Sequence, residues 1–182
     1  MFLNEIDSSW TLFLDRDGVI NERKMGGYVQ TVEEFKFLPK VEESIAYFTT
    51  IFQHIFVVTN QQGIGKGIMT ECNLIDIHRY MCEKIEEKGG KISQCYFAPE
   101  LKSLENSMRK PNSGMALLAK KDFPTINFEK AVMVGDTDSD ILFGKNLGMK
   151  TVRIKTIEEI NVEADLTVDS LDKLKEIWEK RV

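Results

Sequence analysis

The sequence predicts an α/β fold, a Rossmann-like three-layer sandwich with one parallel sheet, helices on both faces and no separate cap domain. Three observations predict it. Short apolar runs alternate with helical patterns along the 182 residues. The runs are largely β-branched or aromatic, as strands covered on both faces require. Polar clusters follow the runs, at the strand ends where an open parallel sheet binds its ligands. The length suits a single domain spanning 1–182. Folding at this size buries roughly 70% of the unfolded surface, so neither disulfides nor a structural metal is needed to supplement the core.

The first strand is expected at Trp10-Thr11-Leu12-Phe13-Leu14, and a helix from Val41 to Phe52 leads to the second, Ile55-Phe56-Val57-Val58. A helix over Thr70 to Lys88 precedes a weaker strand, Lys91 to Phe97, and Ser113 to Lys121 is the next helix. Ala131-Val132-Met133-Val134, a helix from Asp138 to Leu147, and Thr151-Val152-Arg153-Ile154 follow. A last helix, Ser170 to Lys180, carries Leu171, Leu174, Ile177 and Trp178 on one face. Thr70, Ser113, Asp138 and Ser170 are expected to cap helix starts, and Gly89 and Gly148 stand where helices can stop.

Composition narrows the function. The chain carries 24 Lys+Arg against 29 Asp+Glu, a net charge of -5, without the basic excess that nonspecific nucleic-acid binding needs. Nucleic acid is therefore a disfavoured partner. No run reaches the ~18 apolar residues of a membrane span, and the first ten residues carry Glu5 and Asp7 in place of a basic-then-apolar leader. No membrane partner is expected, and the expected location is the cytoplasm. Cys72, Cys82 and Cys95 form no Cys-x-x-Cys pair and read as small buried side chains. His54 and His78 are too few for a histidine-rich metal site, and His78 falls at helical spacing with Leu74, Met81 and Ile85, which points to a packed or half-exposed structural role.

Four polar clusters converge on one sheet edge. Asp15-Arg16-Asp17-Gly18 follows the first strand, Thr59-Asn60-Gln61-Gln62-Gly63 the second, Arg109-Lys110-Pro111 precedes the third helix, and Gly135-Asp136-Thr137-Asp138-Ser139-Asp140 opens the fourth. The combination suits phosphoryl chemistry. Carboxylates hold a hard cation, while a hydroxyl, amides and an ammonium bind phosphate oxygens. Two decoys fall away. Asp136-x-Asp138-x-Asp140 begins like a calcium loop, but Ile141 and Leu147 replace its glycine and its terminal Glu. Gly63-Ile64-Gly65-Lys66-Gly67 lacks the Ser or Thr after the lysine and the first glycine of a P-loop.

Taken in order, Asp15-Arg16-Asp17-Gly18-Val19-Ile20-Asn21, Thr59-Asn60-Gln61, Lys110, and Gly135-Asp136 with Asp140 resemble the four motifs of the haloacid dehalogenase superfamily. Gly27-Tyr28-Val29 and Arg109-Lys110-Pro111 add a closer similarity to its heptose 1,7-bisphosphate and histidinol-phosphate phosphatases. The resemblance covers roughly Trp10 to Ile154, and more loosely Ala164 to Leu174. It implies a Mg2+-dependent phosphomonoesterase with Asp15 as nucleophile, forming an aspartyl-phosphate, and Asp17 as general acid and base. It further implies Mg2+ on the Asp15 carboxylate, the Asp17 carbonyl and Asp136, with Asp140 behind them positioning a coordinated water or Lys110. Thr59, Asn60, Gln61 and Lys110 would meet the transferring phosphoryl group, and Tyr28 and Arg109 the rest of a small phosphorylated metabolite.

The resemblance departs at one place. Those relatives commonly carry Cys-Pro-His and Cys-x-Cys zinc ligands, where this chain reads Ala98-Pro99-Glu100 and Asn106-Ser107-Met108, so no zinc is expected and the loop needs another source of order. Thr59 lies 42 positions after Asp17 and Lys110 lies 50 after Asn60, which leaves no room for a cap. Specificity then falls to the loops Asn21 to Val32 and Pro99 to Arg109. The preferred substrate is D-glycero-D-manno-heptose 1,7-bisphosphate. The alternatives are histidinol phosphate, which would recruit Glu33, Glu34, Glu100 or Glu105, a polynucleotide 3′-phosphate, or a noncatalytic binding module on the same fold. An interaction role for an exposed face of the last helix would be tested by deleting Leu171 to Val182. A monomer is expected.

Overall fold

The computed structural model describes residues 2–104 and 107–180. Six strands form one parallel sheet: β1 (Thr11–Leu14), β2 (His54–Asn60), β3 (Gln94–Ala98), β4 (Ala131–Gly135), β5 (Lys150–Ile154) and β6 (Leu166–Val168), in the order β3-β2-β1-β4-β5-β6. The helices are α1 (Val41–Thr49), the single turn α2 (Gln62–Gly65), α3 (Glu71–Glu87), α4 (Gly114–Asp122), α5 (Asp138–Asn146) and α6 (Leu171–Glu179). No described helix is long and apolar enough to cross a membrane. No separate cap forms among the described residues, and the stretches after β1 and β3 are loops.

Strand alternation builds two cores. Leu12, Leu14, Ile55, Val57, Val132 and Val134 face one way and pack with Ile45 and Phe48 of α1, Ile77 and Met81 of α3, and Leu174 and Trp178 of α6. Phe13, Phe56, Val58 and Met133 face the other way, against Met115 and Ala119 of α4 and Phe143 of α5. Because neighbouring positions on β1 are buried on opposite faces, the strand reads as an unbroken apolar run.

The structure shifts some expected boundaries. β3 starts at Gln94 and not at Lys91, because Ser93 meets β2 partly through its side chain: its hydroxyl accepts from the Ile55 amide, while its own amide donates to the Ile55 carbonyl. β6 has only three residues at the sheet edge, too short to leave a pattern. Thr70 and Ser170 do cap α3 and α6, accepting from the Asn73 and Lys173 amides at 3.1 and 3.2 Å. Ser113 caps nothing, since its backbone is already helical. Thr137, not Asp138, occupies the cap position of α5, and the Asp138 carboxylate turns outward to Arg153 at 2.7 Å. Cys72, expected to be buried, is exposed.

The apolar face of α6 belongs to the core. Leu171, Leu174 and Trp178 are buried, and the Trp178 ring stands edge-on to Phe48 and Phe52 at 5.1 and 5.5 Å. Deleting from Leu171 onward would open the core; the far end of that deletion, Arg181 and Val182, lies outside the described residues.

Candidate active site

The strand order creates the site. The chain runs outward from β1 through β2 to β3, then crosses back to place β4 on the other flank of β1. The loops leaving β1 and β4 therefore diverge and open a crevice at the carboxyl edge. Asp15 continues β1 and is locked to β4, its amide donating to the Val134 carbonyl at 2.9 Å. Gly18 turns the chain at φ 89°, and a Cβ there would collide with the Asp136 carboxylate. Only glycine combines that backbone with that proximity.

Lys110 ties three strands' ends together. Its buried ammonium donates to Asp15 Oδ1 at 2.7 Å and to the Val58 carbonyl at 2.6 Å, and it pairs with Asp140 Oδ1 at 2.7 Å. The Asn60 side chain clamps the Lys110 backbone, accepting from its amide at 2.9 Å and donating to its carbonyl at 3.2 Å. Asp140 Oδ2 accepts from the amide and hydroxyl of Thr137 at 3.0 and 2.7 Å, which fixes its direction toward Lys110.

Asp15, Asp136 and Asp140 each present an oxygen, all within 4.8 Å of one another. Burial, opposed by Lys110 and reinforced by Asp140 and Asp17, pushes the Asp15 carboxyl up to about 6. Burial, then Asp15 and Asp140, pushes Asp136 up to about 8 despite Arg23 and Lys110. Asp140 goes the other way: burial is outweighed by Lys110 and the Thr137 hydrogen bonds. Three buried carboxylates thus share too little positive charge, and hard oxygen donors at this spacing fit a small divalent cation.

Asp17 faces a different environment. Burial is overcome by Arg16, whose Nη2 donates to both carboxylate oxygens at 3.0 Å, and by Asn21 Nδ2 at 3.0 Å and Gln61 Nε2 at 2.9 Å, so its carboxyl lies below the usual range. The side-chain amide of Gln61 also donates to Thr59 Oγ1 at 2.9 Å, joining the ends of β1 and β2. Tyr28 packs its ring against Gly63, and its hydroxyl accepts from Lys66 Nζ at 3.0 Å. Arg109 forms no ion pair among the described residues, and its Nη1 is buried without a hydrogen-bond partner.

These groups line a cleft of about 970 Å³. Asp15, Asp17, Tyr28, Thr59, Asn60, Gln61, Arg109, Lys110 and Asp140 all border it, with Asp136 beneath, beside Gly18. The sequence reading missed four polar residues. Arg16 carried a signal, a cation between two aspartates. Arg153 carried another, a charge inside a buried strand; it donates to the Asp136 carbonyl at 3.1 Å and to Asp138. Arg23 and Glu158 form an ion pair 135 positions apart, which no local pattern discloses.

Three hydrogen bonds hold described residues of the loop after β3. Glu100 Oε1 accepts from the Met108 amide at 3.2 Å, Pro99 accepts from the Gly65 amide at 3.1 Å, and Asn112 Nδ2 donates to the Ser107 carbonyl at 3.0 Å. Glu105 and Asn106 lie outside the described residues.

A family model described as HAD-hydrolase-like matches residues 107–174. A D-glycero-alpha-D-manno-heptose-1,7-bisphosphate 7-phosphatase of Campylobacter jejuni is 36% identical over 141 residues, 78% of this chain and 79% of that one. The enzyme of the same name from Mycobacterium bovis is 34% identical over 138 residues, 76% of this chain and 73% of that one. A crystal structure of D,D-heptose 1,7-bisphosphate phosphatase from B. bronchiseptica, complexed with magnesium and phosphate, has a TM-score of 0.85 at 22% identity over 95% of this chain and 99% of that one, a likeness of fold. Fold and site together define a hydrolase of the HAD-like class acting on phosphoric monoesters. The chain belongs to the HAD-like phosphatase family of the heptose 1,7-bisphosphate 7-phosphatases.

Proposed function

We propose that the chain is a Mg2+-dependent phosphomonoesterase acting through an aspartyl-phosphate on D-glycero-D-manno-heptose 1,7-bisphosphate. The observation that carries the reading is Arg109: a cation bordering the cleft, with one buried nitrogen unpartnered and no carboxylate paired to it among the described residues. Desolvation of that charge, greater than the pull of Tyr28, Asp140, Asp15 and Glu100, lowers its pKa, so an anionic ligand would relieve it. A bisphosphate brings a second phosphate for its fork to grip. The names of the relatives point the same way. A cationic substrate finds less support. Glu34 is paired with Lys24, Glu100 serves the Met108 amide, and neither they nor Glu33 line the cleft.

Asp15, Asp136 and the Asp17 carbonyl would hold Mg2+, with Asp140 behind them. When bound, the metal neutralises the aspartates and polarises the phosphoryl group. Lys110 keeps Asp15 Oδ1 directed and offsets its charge, so that Oδ2 is the oxygen left to attack phosphorus. Thr59 and Lys110 meet the transferring oxygens, and Asn60 acts chiefly by holding the Lys110 backbone. Asp17 starts ionised beside Arg16 and Gln61. An arriving phosphate dianion repels that carboxylate and raises its pKa, which lets Asp17 carry the proton for the leaving oxygen and later draw one from water.

The proposed enzyme is a single domain, 1–182, active as a cytoplasmic monomer and without zinc, its Pro99 to Arg109 loop held by Glu100. The test is phosphate release from heptose 1,7-bisphosphate, histidinol phosphate and an aryl phosphate, in Mg2+ or EDTA, by wild type and Asp15→Asn. Selective turnover of the heptose bisphosphate, lost in EDTA and in Asp15→Asn, is the expected result. Preference for histidinol phosphate would replace the substrate, and silence toward all three by folded, Mg2+-bound protein would favour a binding module.

A further inference from the structure

Arg23 sits in the loop that follows the Asp15-Arg16-Asp17 turn. Its Nη2 donates to Asp136 Oδ1 at 2.7 Å and lies 3.3 Å from the Asp17 backbone carbonyl. The Asp17 carbonyl and the Asp136 carboxylate are two of the three ligands assigned above to Mg2+. The other nitrogen of the same guanidinium, Nη1, is paired with Glu158, in the loop after β5. Arg23 therefore bridges the inner aspartates and a carboxylate on the outer wall of the cleft. Its side chain is 27% exposed, against 5% for Asp136 and 43% for Glu158, so the inner end of the bridge is buried and the outer end is wet. With Nη2 set against both oxygens, a metal ion arriving at them meets the positive charge of the guanidinium.

We propose, on the reading that these aspartates hold Mg2+, that Arg23 is a displaceable counter-ion: it occupies the Asp17–Asp136 end of the metal site in the metal-free enzyme, competes with Mg2+ for it, and is released toward Glu158 when the metal binds. The physical need is plain in the metal-free state. Asp15, Asp136 and Asp140 lie within 4.8 Å of one another, and Lys110 reaches only Asp15 and Asp140. Asp136 would otherwise be a buried carboxylate without a cation, a costly arrangement. Arg23 supplies that cation from a loop that contains Gly26 and Gly27 and forms neither helix nor regular strand, so its withdrawal disrupts no backbone ladder of the sheet. Glu158 keeps it paired after withdrawal.

Competition makes a thermodynamic prediction. The apparent Mg2+ dissociation constant is the intrinsic one divided by the fraction of molecules in which Arg23 has withdrawn. Removing the guanidinium should tighten metal binding and weaken only the metal-free state. Mg2+ is titrated calorimetrically into EDTA-treated, desalted wild type and Arg23→Gln, and both are melted in EDTA and in saturating Mg2+. Expected are binding about tenfold tighter in Arg23→Gln, corresponding to a withdrawn fraction of about a tenth, a lower melting temperature in EDTA, and equal melting temperatures when loaded. Unchanged affinity with an equal drop in both states would reduce Arg23 to an ordinary salt bridge and overturn the proposal. A loaded Arg23→Gln that melts above loaded wild type would show that Arg23 stays in place and merely repels the metal, which overturns it too. If neither protein binds Mg2+ although both are folded, the metal reading itself falls and takes the proposal with it.

Discussion

His78 shows how a residue that takes no part in the chemistry can still set the conditions under which the enzyme survives. It is buried in α3, and burial, reinforced by Arg16 and only partly offset by Asp17, pushes its pKa down to about 3. Its Nε2 has no hydrogen-bond partner. The ordinary value is about 6.5, so between pH 6.5 and about 3 the unfolded chain binds a proton that the folded chain refuses. Stability is then lost as pH falls, with a slope of up to about 1.36 kcal/mol per pH unit from this one group. His78→Gln removes that contribution. Urea midpoints measured from pH 7 to pH 4.5 should fall more steeply for wild type than for His78→Gln. Parallel curves would mean that the native fold accommodates the imidazolium.

At the scale of elements, α6 carries a test of how the sheet is covered. Trp178 fills the space between Phe48 of α1 and Phe52, and Leu171 and Leu174 complete its apolar face. Trp178→Ala should cost about 3–5 kcal/mol, while leaving kcat unchanged wherever the protein remains folded, because the residue lies among the core side chains of the α1 face and does not line the cleft. Equilibrium unfolding together with kinetics at low temperature checks both halves. A loss under about 1 kcal/mol would mean that α6 packs loosely. The helix was legible in the sequence because its apolar residues recur with helical period behind a capping serine. So were β1, β2, β4 and β5, each buried on both faces. β6 was not, since three residues at an edge leave no period, and neither was the cap of α5, where Thr137 and Asp138 are both good capping residues and the capping box of Thr137 with Asp140 and the pairing of Asp138 with Arg153 decide between them. The same division runs through the site. Asp15 and Asp136 directly follow strands, Thr59 lies at the end of β2 and Lys110 precedes α4, so topology brings them together. Arg23 meets Asp136 through a loop conformation that nothing local in the sequence specifies.

At the scale of the whole molecule, charge is distributed in a way that links metal binding to substrate capture. The protein is acidic, with a net charge of -5. Its cleft is balanced: Arg23, Lys24, Lys66, Lys102, Arg109 and Lys110 face Asp15, Asp17, Asp138, Asp140, Glu158 and Glu159. A bound divalent cation adds two positive charges and turns a neutral lining into an attractive one on a surface that otherwise repels anions. Low-dielectric walls focus such a field and raise the encounter rate of an oppositely charged ligand. Salt should erode this advantage, because the screening length falls from about 30 Å at 0.01 M to about 10 Å at 0.1 M. With Mg2+ kept saturating, kcat/KM for the heptose bisphosphate should fall as KCl rises over that range, and kcat should stay level. An aryl monophosphate, carrying less charge, should respond less. Equal salt dependence for the two substrates would mean that short-range contacts such as Arg109, and not the field of the metal-loaded cleft, govern capture.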